Sequence, residues 1–460
     1  MFSIIKETIS DVMFFIYGHM RYNLYYKEIN VQRDFVCLFC RDSINWYSVC
    51  CYCLIIICWF EERFLVKFLH TADWHLGASF YRVKMTEDQA FVLDQIRELI
   101  AEERPDFMVV AGDIYDRSVP PSDAVELLDY ILNEIVLGLK VPIILIAGNH
   151  DSQERLDFGT KFMARQGLYM AGRVNLWNQP LQFEDTHGPF YVLPLTYAEP
   201  SIVRERYNNS YTLSENQDEI NVFDHNMALS TMVKKMTTNI PNNVRTIAIA
   251  HAFVAGGMVS DSERQLSVGG AGNVDLNIFN RFTYTALGHL HRPQFVGSEK
   301  VRYSGSLLKY SFSEALHDKG VDIVEIDKVG NVTVRTKKFS FRHDVRCING
   351  KMSELTCFPE RYGDINDYLM VTLEDDGPVL DAMGRLKSIY PNILHIERPT
   401  IQRSLKLQGI EGDHRKQELF PMFQSFYHQV TGEPLSVEAA DMFKLVVSNN
   451  VSCVKEEGLV

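Results

Sequence analysis

The sequence predicts a layered α/β protein, and three observations predict it. Phe64–Leu69, Phe107–Ala111, Val141–Ala147, Thr246–Ala250 and Thr283–Leu287 are short apolar runs that read as buried strands. Segments with apolar residues at helical spacing lie between the first three, so strand and helix alternate. Each run closes on a polar motif. In order these are Asp73-Trp74-His75, Gly112-Asp113-Ile114-Tyr115-Asp116, Gly148-Asn149-His150-Asp151, His251 and Gly288-His289-Leu290-His291. Sites in layered α/β proteins gather beyond the carboxyl ends of strands. Five loops far apart in the chain can therefore meet at one point.

The elements follow in turn. Gln89–Ile100 places Ala90, Leu93, Ile96, Leu99 and Ile100 at helical spacing and predicts a helix that covers the sheet. Pro120-Pro121-Ser122-Asp123 is a helix start, and Ala124, Leu127, Leu128, Ile131 and Leu132 supply its apolar face. Tyr191–Leu195 reads as a strand, and the polar stretch Tyr207–Asp218 as a loop. Val301–Tyr303 and Val321–Ile326 read as strands. Gly330-Asn331 turns the chain from the latter into Val332–Lys337, a hairpin assigned to a second sheet. Gly269-Gly270-Ala271-Gly272 lacks the strand–helix setting of a phosphate loop and reads as a flexible loop.

The motif residues are carboxylates, imidazoles and one amide, with no thiol. That donor set suits Mn²⁺, Fe²⁺ and related divalent ions better than a structural zinc site, and points to a two-metal hydrolase of phosphate esters. Asp73 and His75 are two residues apart, as are His289 and His291. In extended backbone such pairs point to one side, so each pair is expected to face one cluster. A metal pair needs a bridge, and Asp113, alone at its strand end, is the candidate.

This motif order resembles the calcineurin-like metallophosphoesterase superfamily. The wording of His70-Thr71-Ala72-Asp73-Trp74-His75-Leu76-Gly77, Ser260-Asp261-Ser262-Glu263-Arg264 and Tyr303-Ser304-Gly305-Ser306 resembles its SbcD branch of nuclease subunits. The resemblance implies a four-layer α/β/β/α sandwich with a small α/β cap domain and C-terminal helices. It implies that Asp73, His75, Asp113 and His291 hold one metal, and that Asp113, Asn149, His251 and His289 hold the other. Manganese is the expected ion at both. His150 is implied to stabilise the transition state or protonate the leaving oxygen, and Asp116 and Asp151 to orient ligands.

The resemblance further implies exonuclease action on double-stranded DNA ends and endonuclease action on single strands or hairpins. The implied partner is an SbcC-like ATPase with coiled-coil arms, in an assembly of two nuclease and two ATPase subunits. Two alternatives are another calcineurin-like phosphatase or phosphodiesterase, and a non-catalytic scaffold for the ATPase. Gly112-Asp113-Ile114-Tyr115-Asp116-Arg117 resembles the phosphatase form. Asp151 follows Gly148-Asn149-His150 where that group usually has glutamate, which favours the nuclease.

The formal net charge of −13 argues against general polyanion binding, and no long Lys/Arg run is present. A nuclease still needs a basic track for phosphates. Either basic residues cluster locally or a partner holds most of the DNA.

Residues 1–65 differ from the rest. They hold Cys37, Cys40, Cys50, Cys51, Cys53 and Cys58 of the nine cysteines. Val49–Phe60 is apolar but shorter than the roughly 20 residues of a bilayer span. Val66 resembles the start of family members, so residues 1–65 are expected to be a non-native upstream extension. Cys347, Cys357 and Cys453 remain, none within a site motif. This is cytoplasmic usage without a disulfide framework, and no membrane span is expected. The expected domains are a nuclease domain at 66–341, a cap at 342–412 with strands Asp367–Leu373 and Ile393–Glu397 and helix Val379–Ile389, and a partner-binding helical segment at 413–460. In that segment Leu419, Met422, Phe423, Phe426 and Val430 form an apolar stripe, and a second helix is expected from Ser436 to Val447.

Overall fold

The computed structural model describes residues 66–174, 179–211, 222–263, 272–375, 377, 379–398, 420, 423–424, 427–428 and 434–443. The expectations for residues 1–65, for Gly269–Ala271 and for most of 413–460 lie outside the described residues.

In chain order the main strands of the first part are β1 (Val66–Thr71), β2 (Phe107–Ala111), β3 (Ile143–Ile146), β4 (Leu168–Ala171), β5 (Leu181–Asp185), β6 (Gly188–Leu195), β7 (Arg245–His251), β8 (Tyr284–Gly288), β9 (Gln294–Val296), β10 (Ser298–Tyr303), β11 (Gly320–Ile326) and β12 (Val332–Lys338). They form two six-stranded sheets, ordered β12-β11-β1-β2-β3-β4 and β9-β10-β8-β7-β6-β5. Within each sheet four neighbouring strands run parallel, β1 to β4 in the first and β10, β8, β7 and β6 in the second. All five strands expected to carry a motif belong to these parallel sets.

Side-chain alternation builds the layers. Phe68, Val109, Ile144, Val192, Ile247, Ile249 and Ala286 turn between the sheets and form one buried cluster. Leu69, Met108, Val110, Ile143 and Leu145 turn outward beneath α1 (Thr86–Glu103) and α2 (Ser122–Leu132). Leu193, Leu195, Ala248, Ala250 and Leu287 turn outward beneath α4 (His225–Thr237), which follows α3 (Pro200–Tyr211). The result is helix, sheet, sheet, helix, the four-layer sandwich that the resemblance implied. The sheets come close at Gly288, where a Cβ would overlap the carbonyl oxygen of Ala111.

Three expectations are corrected. Residues 207–211 are the end of α3, not loop; the rest of Tyr207–Asp218 lies outside the described residues. The β11–β12 hairpin belongs to the first sheet, because Val66 to His70 of β1 pair antiparallel with Ile326 to Asp322 of β11; only β10 joins the second sheet. In the cap region the helix is shorter, α6 (Ala382–Lys387) after α5 (Met352–Cys357). A strand not expected, β13 (Val345–Gly350), pairs in parallel with β14 (Tyr368–Leu373), itself beside β15 (Ile393–Glu397).

The cap region is tied to the first part by a hydrogen bond from Tyr368 to Asp88 (2.9 Å) and an ion pair of Lys309 with Asp344 (2.8 Å). Residues 437–443 are helical, and the Phe443 ring stacks on Phe423 at 4.0 Å. No helix among the described residues is long and apolar enough to cross a membrane.

Candidate metal centre

The loops after β1, β2, β3, β7 and β8 converge. Backbone hydrogen bonds knit the first two together: the amides of Asp73 and His75 donate to the carbonyls of Gly112 and Asp113, both at 3.0 Å. Asp151 ties in the third. Its buried carboxylate accepts from the amides of Ile114 (3.0 Å), Tyr115 (2.9 Å) and Gly148 (2.9 Å). Gln89 holds the Asp73–His75 loop from behind. Its side chain donates to the carbonyl of His75 (2.7 Å) and accepts from the amide of Gly77 (3.1 Å). Tyr310 donates to the carbonyl of Trp74. Neither Gln89 nor Tyr310 stands in a motif. They lie in a helix and a distant loop, and only their contacts mark them as part of the site.

These clamps hold an unfavourable backbone. Asp73, His75 and Asp113 have φ of 51°, 46° and 48°, and His289 has 105°. Left-handed geometry costs roughly 1–2 kcal/mol at a non-glycine residue. Four such residues in one place are the mark of a site whose side chains must be aimed.

The side chains fall into two buried groups. Asp73, His75 and His291 form one, and Asp113, His251 and His289 the other. Asp73 and His75 share a group although neither has extended backbone, and His289 and His291 part, one to each, so two-residue spacing does not decide the division. Asp113 stands between the groups: its Oδ2 is 3.6 Å from His75 Nε2 and 3.3 Å from His251 Nε2. Asn149 turns its amide oxygen to His251 Nε2 (2.9 Å) and His289 Nδ1 (3.1 Å), and its Nδ2 is buried without a hydrogen-bond partner. His75 and His291 face each other across 3.1 Å, Nε2 to Nε2.

His150 is half-buried at the edge. Its Nδ1 donates to the carbonyl of Asp116 (2.8 Å), and its ring meets that of His75 edge-on at 4.8 Å. The Asp116 carboxylate lies 3.9 Å from His75 Nδ1.

Burial and neighbouring charge act on every member of the two groups. Burial pushes Asp113 up, but His251, His75 and His150 outweigh it and hold the carboxyl well below its ordinary range. Burial would lower His251, yet Asp113 and Asp73 raise it to about 9. Burial, with the charge of His251, takes His289 down to about 3, and burial likewise drives His75 far below its ordinary value. Burial raises Asp73 to about 6. Within this one cluster His251 and His291 are thus raised, against burial, by neighbouring carboxylates, while His75 and His289 are lowered by burial. Imidazole and carboxylate donors gathered this closely, with an amide oxygen aimed among them, fit divalent cations. His251 donates Nδ1–H to the carbonyl of Ala111 (2.9 Å), which turns Nε2 to the centre, the usual support for a metal-bound histidine.

Residues 66–293 match the calcineurin-like phosphoesterase family. Residues 342–431 match a family described as type 5 capsule protein repressor C-terminal domain. Two curated relatives each carry the name of the SbcD subunit of the nuclease SbcCD. That from Staphylococcus epidermidis is 32% identical over 383 residues, which cover 83% of this chain and 98% of that protein. The chain belongs to the SbcD family. The relative from Staphylococcus saprophyticus is 33% identical over 386 residues, again 83% of this chain and 98% of that protein. Among solved structures, a dimetal phosphatase from Danio rerio aligns at 15% identity and a TM-score of 0.36, covering 60% of this chain and 99% of that one. As an SbcD-family member the chain is a metal-dependent nuclease.

Proposed function

We propose that this chain is the DNA-cleaving subunit of an SbcCD-like complex, with two manganese ions as its cofactor. Asp73, His75, Asp113 and His291 would hold one ion; Asp113, Asn149, His251 and His289 would hold the other. The observation that supports this most is the position of Asp113, with one carboxylate oxygen within reach of a histidine from each group. When bound, such ions neutralise a phosphodiester and lower the pKa of water that attacks it.

The chain's own residues supply the rest. The amide of His150 donates to Asp113 Oδ1 at 2.9 Å and so helps to fix that carboxylate. With Nδ1–H donated to the Asp116 carbonyl, the ring of His150 is oriented, and when the ring is doubly protonated its Nε2–H can pass a proton to the leaving oxygen. Asp116 therefore acts through its carbonyl on His150, and Asp151 acts by locking three amides of the Asp113 and Asn149 loops.

The relatives' name places them in SbcCD, and we infer the same setting here: a coiled-coil ATPase partner, two copies of each subunit, and the cytoplasm. The partner would hold much of the DNA, in keeping with the acidic balance of this chain. The substrates would be double-stranded ends, attacked as a 3′–5′ exonuclease, and single strands or hairpins, cut internally. Turnover of a hairpin DNA and of a phosphopeptide, each with Mn²⁺, tests the reading. Cleavage of the hairpin with little release of phosphate from the peptide is expected; the reverse preference would assign the chain to phosphatases.

A further inference from the structure

His291 is gripped at three atoms by a network that no motif ligand belongs to. Its Nδ1 lies 2.7 Å from Ser262 Oγ and 3.5 Å from Glu314 Oε1, and that hydroxyl is hydrogen-bonded to the same carboxylate oxygen. Its backbone amide donates to Glu263 Oε1 at 2.7 Å. Its carbonyl accepts from Lys319 Nζ at 2.6 Å, and the same ammonium pairs with Glu314 Oε2 and donates to Ser306 Oγ at 2.8 Å. Glu314 and Lys319 are almost wholly buried, at 0% and 1% exposure.

A hydrophobic pair in that place would cost less. Taking a carboxylate and an ammonium out of water is expensive, and a buried ion pair is weak evidence for stability. The pair does fix a direction. Glu314 can only accept, so Ser262 donates to it, and the remaining lone pair of Ser262 faces Nδ1 of His291. The ring must then carry its proton on Nδ1, which leaves Nε2 bare toward Asp73 and His75. His251 reaches the same state through the carbonyl of Ala111. His291 has no carbonyl there and uses a hydroxyl backed by a carboxylate.

We propose that Ser262, Glu314 and Lys319 form a positioning relay that sets the tautomer and aim of His291, and so tunes only the cation held with Asp73 and His75. This rests on the reading of His291 as a ligand. Loss of an outer partner of a metal-bound histidine weakens binding by about 10–100-fold.

The test is calorimetric titration of the full chain with Mn²⁺ alone. Two binding steps are expected in the unaltered protein, and none there would instead overturn the reading of His291. Ser262→Ala should weaken one step about 10–100-fold, leave the other unchanged, and leave the unfolding temperature of the metal-free protein unchanged. Ser262→Thr, which restores a hydroxyl, should recover the step. Ser262→Ala acting on neither step, or on both equally, would overturn the relay, as would a fall in metal-free stability in parallel with a loss that Thr does not repair. Ser262 is the residue to alter because its removal leaves the Glu314–Lys319 pair intact.

Discussion

His251 ends a strand of one sheet and Asp113 follows a strand of the other, yet Nε2 of the one is 3.3 Å from Oδ2 of the other. His75, on the far side, is 3.6 Å from the same oxygen. An atom so shared belongs to both groups, and its loss should be felt by both. Asp113→Asn is expected to weaken both Mn²⁺ binding steps by more than the roughly 100-fold that loss of an outer partner causes. His289→Ala should weaken one. Calorimetric titration of the two variants checks this; one step surviving intact in Asp113→Asn would remove the bridge.

His150 makes its contacts to the backbone of Asp116 and, through its amide, to Asp113. Neither requires the ring to hold an ion. His150→Ala should therefore retain two ions while cleavage of hairpin DNA falls by about 10²–10⁴-fold. Loss of both ions in this variant would make His150 a ligand and the assigned role wrong.

Gly148 leaves no room for a side chain. A Cβ there would overlap the Asp113 carboxylate and backbone nitrogen. Gly148→Ala should lower stability by about 1–3 kcal/mol, as overpacking does, and disturb Mn²⁺ binding as well. Gly377→Ala, where a Cβ meets nothing within 4 Å, should stay within about 0.5 kcal/mol. Thermal unfolding and metal titration of both compare them directly.

His70 is a buried core histidine that belongs to neither metal group. Nε2 donates to the carbonyl of Leu287 (3.2 Å) and Nδ1 accepts from Tyr284 (3.0 Å). Burial, with the charge of Arg302, lowers it to about 3. It stays neutral in the fold and gains a proton on unfolding below its ordinary pKa near 6.5. Its contribution to stability is thus complete above about pH 6.5 and is lost as pH falls toward 3, at about 1.4 kcal/mol per pH unit. His70→Gln should flatten denaturant midpoints across that range relative to the parent. Equal slopes in the two proteins would place the acid sensitivity elsewhere.

The parallel strands β1, β2, β3, β7 and β8 were legible because each is a short apolar run closed by a motif, and the helices α1 and α2 because their apolar stripes face the first sheet; β4, with no motif after it, was not. Helix α3 was not, since Arg204-Glu205-Arg206-Tyr207-Asn208-Asn209 offers no apolar stripe to read. The hairpin was legible as a hairpin, but its sheet was not. That depends on β11 pairing with β1, some 250 residues away. The motif residues do converge, but their division into groups came only from the resemblance, because the two-residue rule assumes extended backbone and Asp73, His75 and His289 all have positive φ. Ser262, Glu314 and Lys319 carried no signal as a set. Glu314 and Lys319 share the connection between β10 and β11, far along the chain from Ser262, and only the fold stacks the three behind His291.

The central claim is that Asp113 stands between two ions. Diffraction from crystals soaked in Mn²⁺, collected at the manganese edge, measures it directly. Two anomalous peaks are predicted, one on either side of the Asp113 carboxylate, the first against Asp73, His75 and His291 and the second against Asn149, His251 and His289. A single peak, or peaks remote from Asp113, would contradict the account.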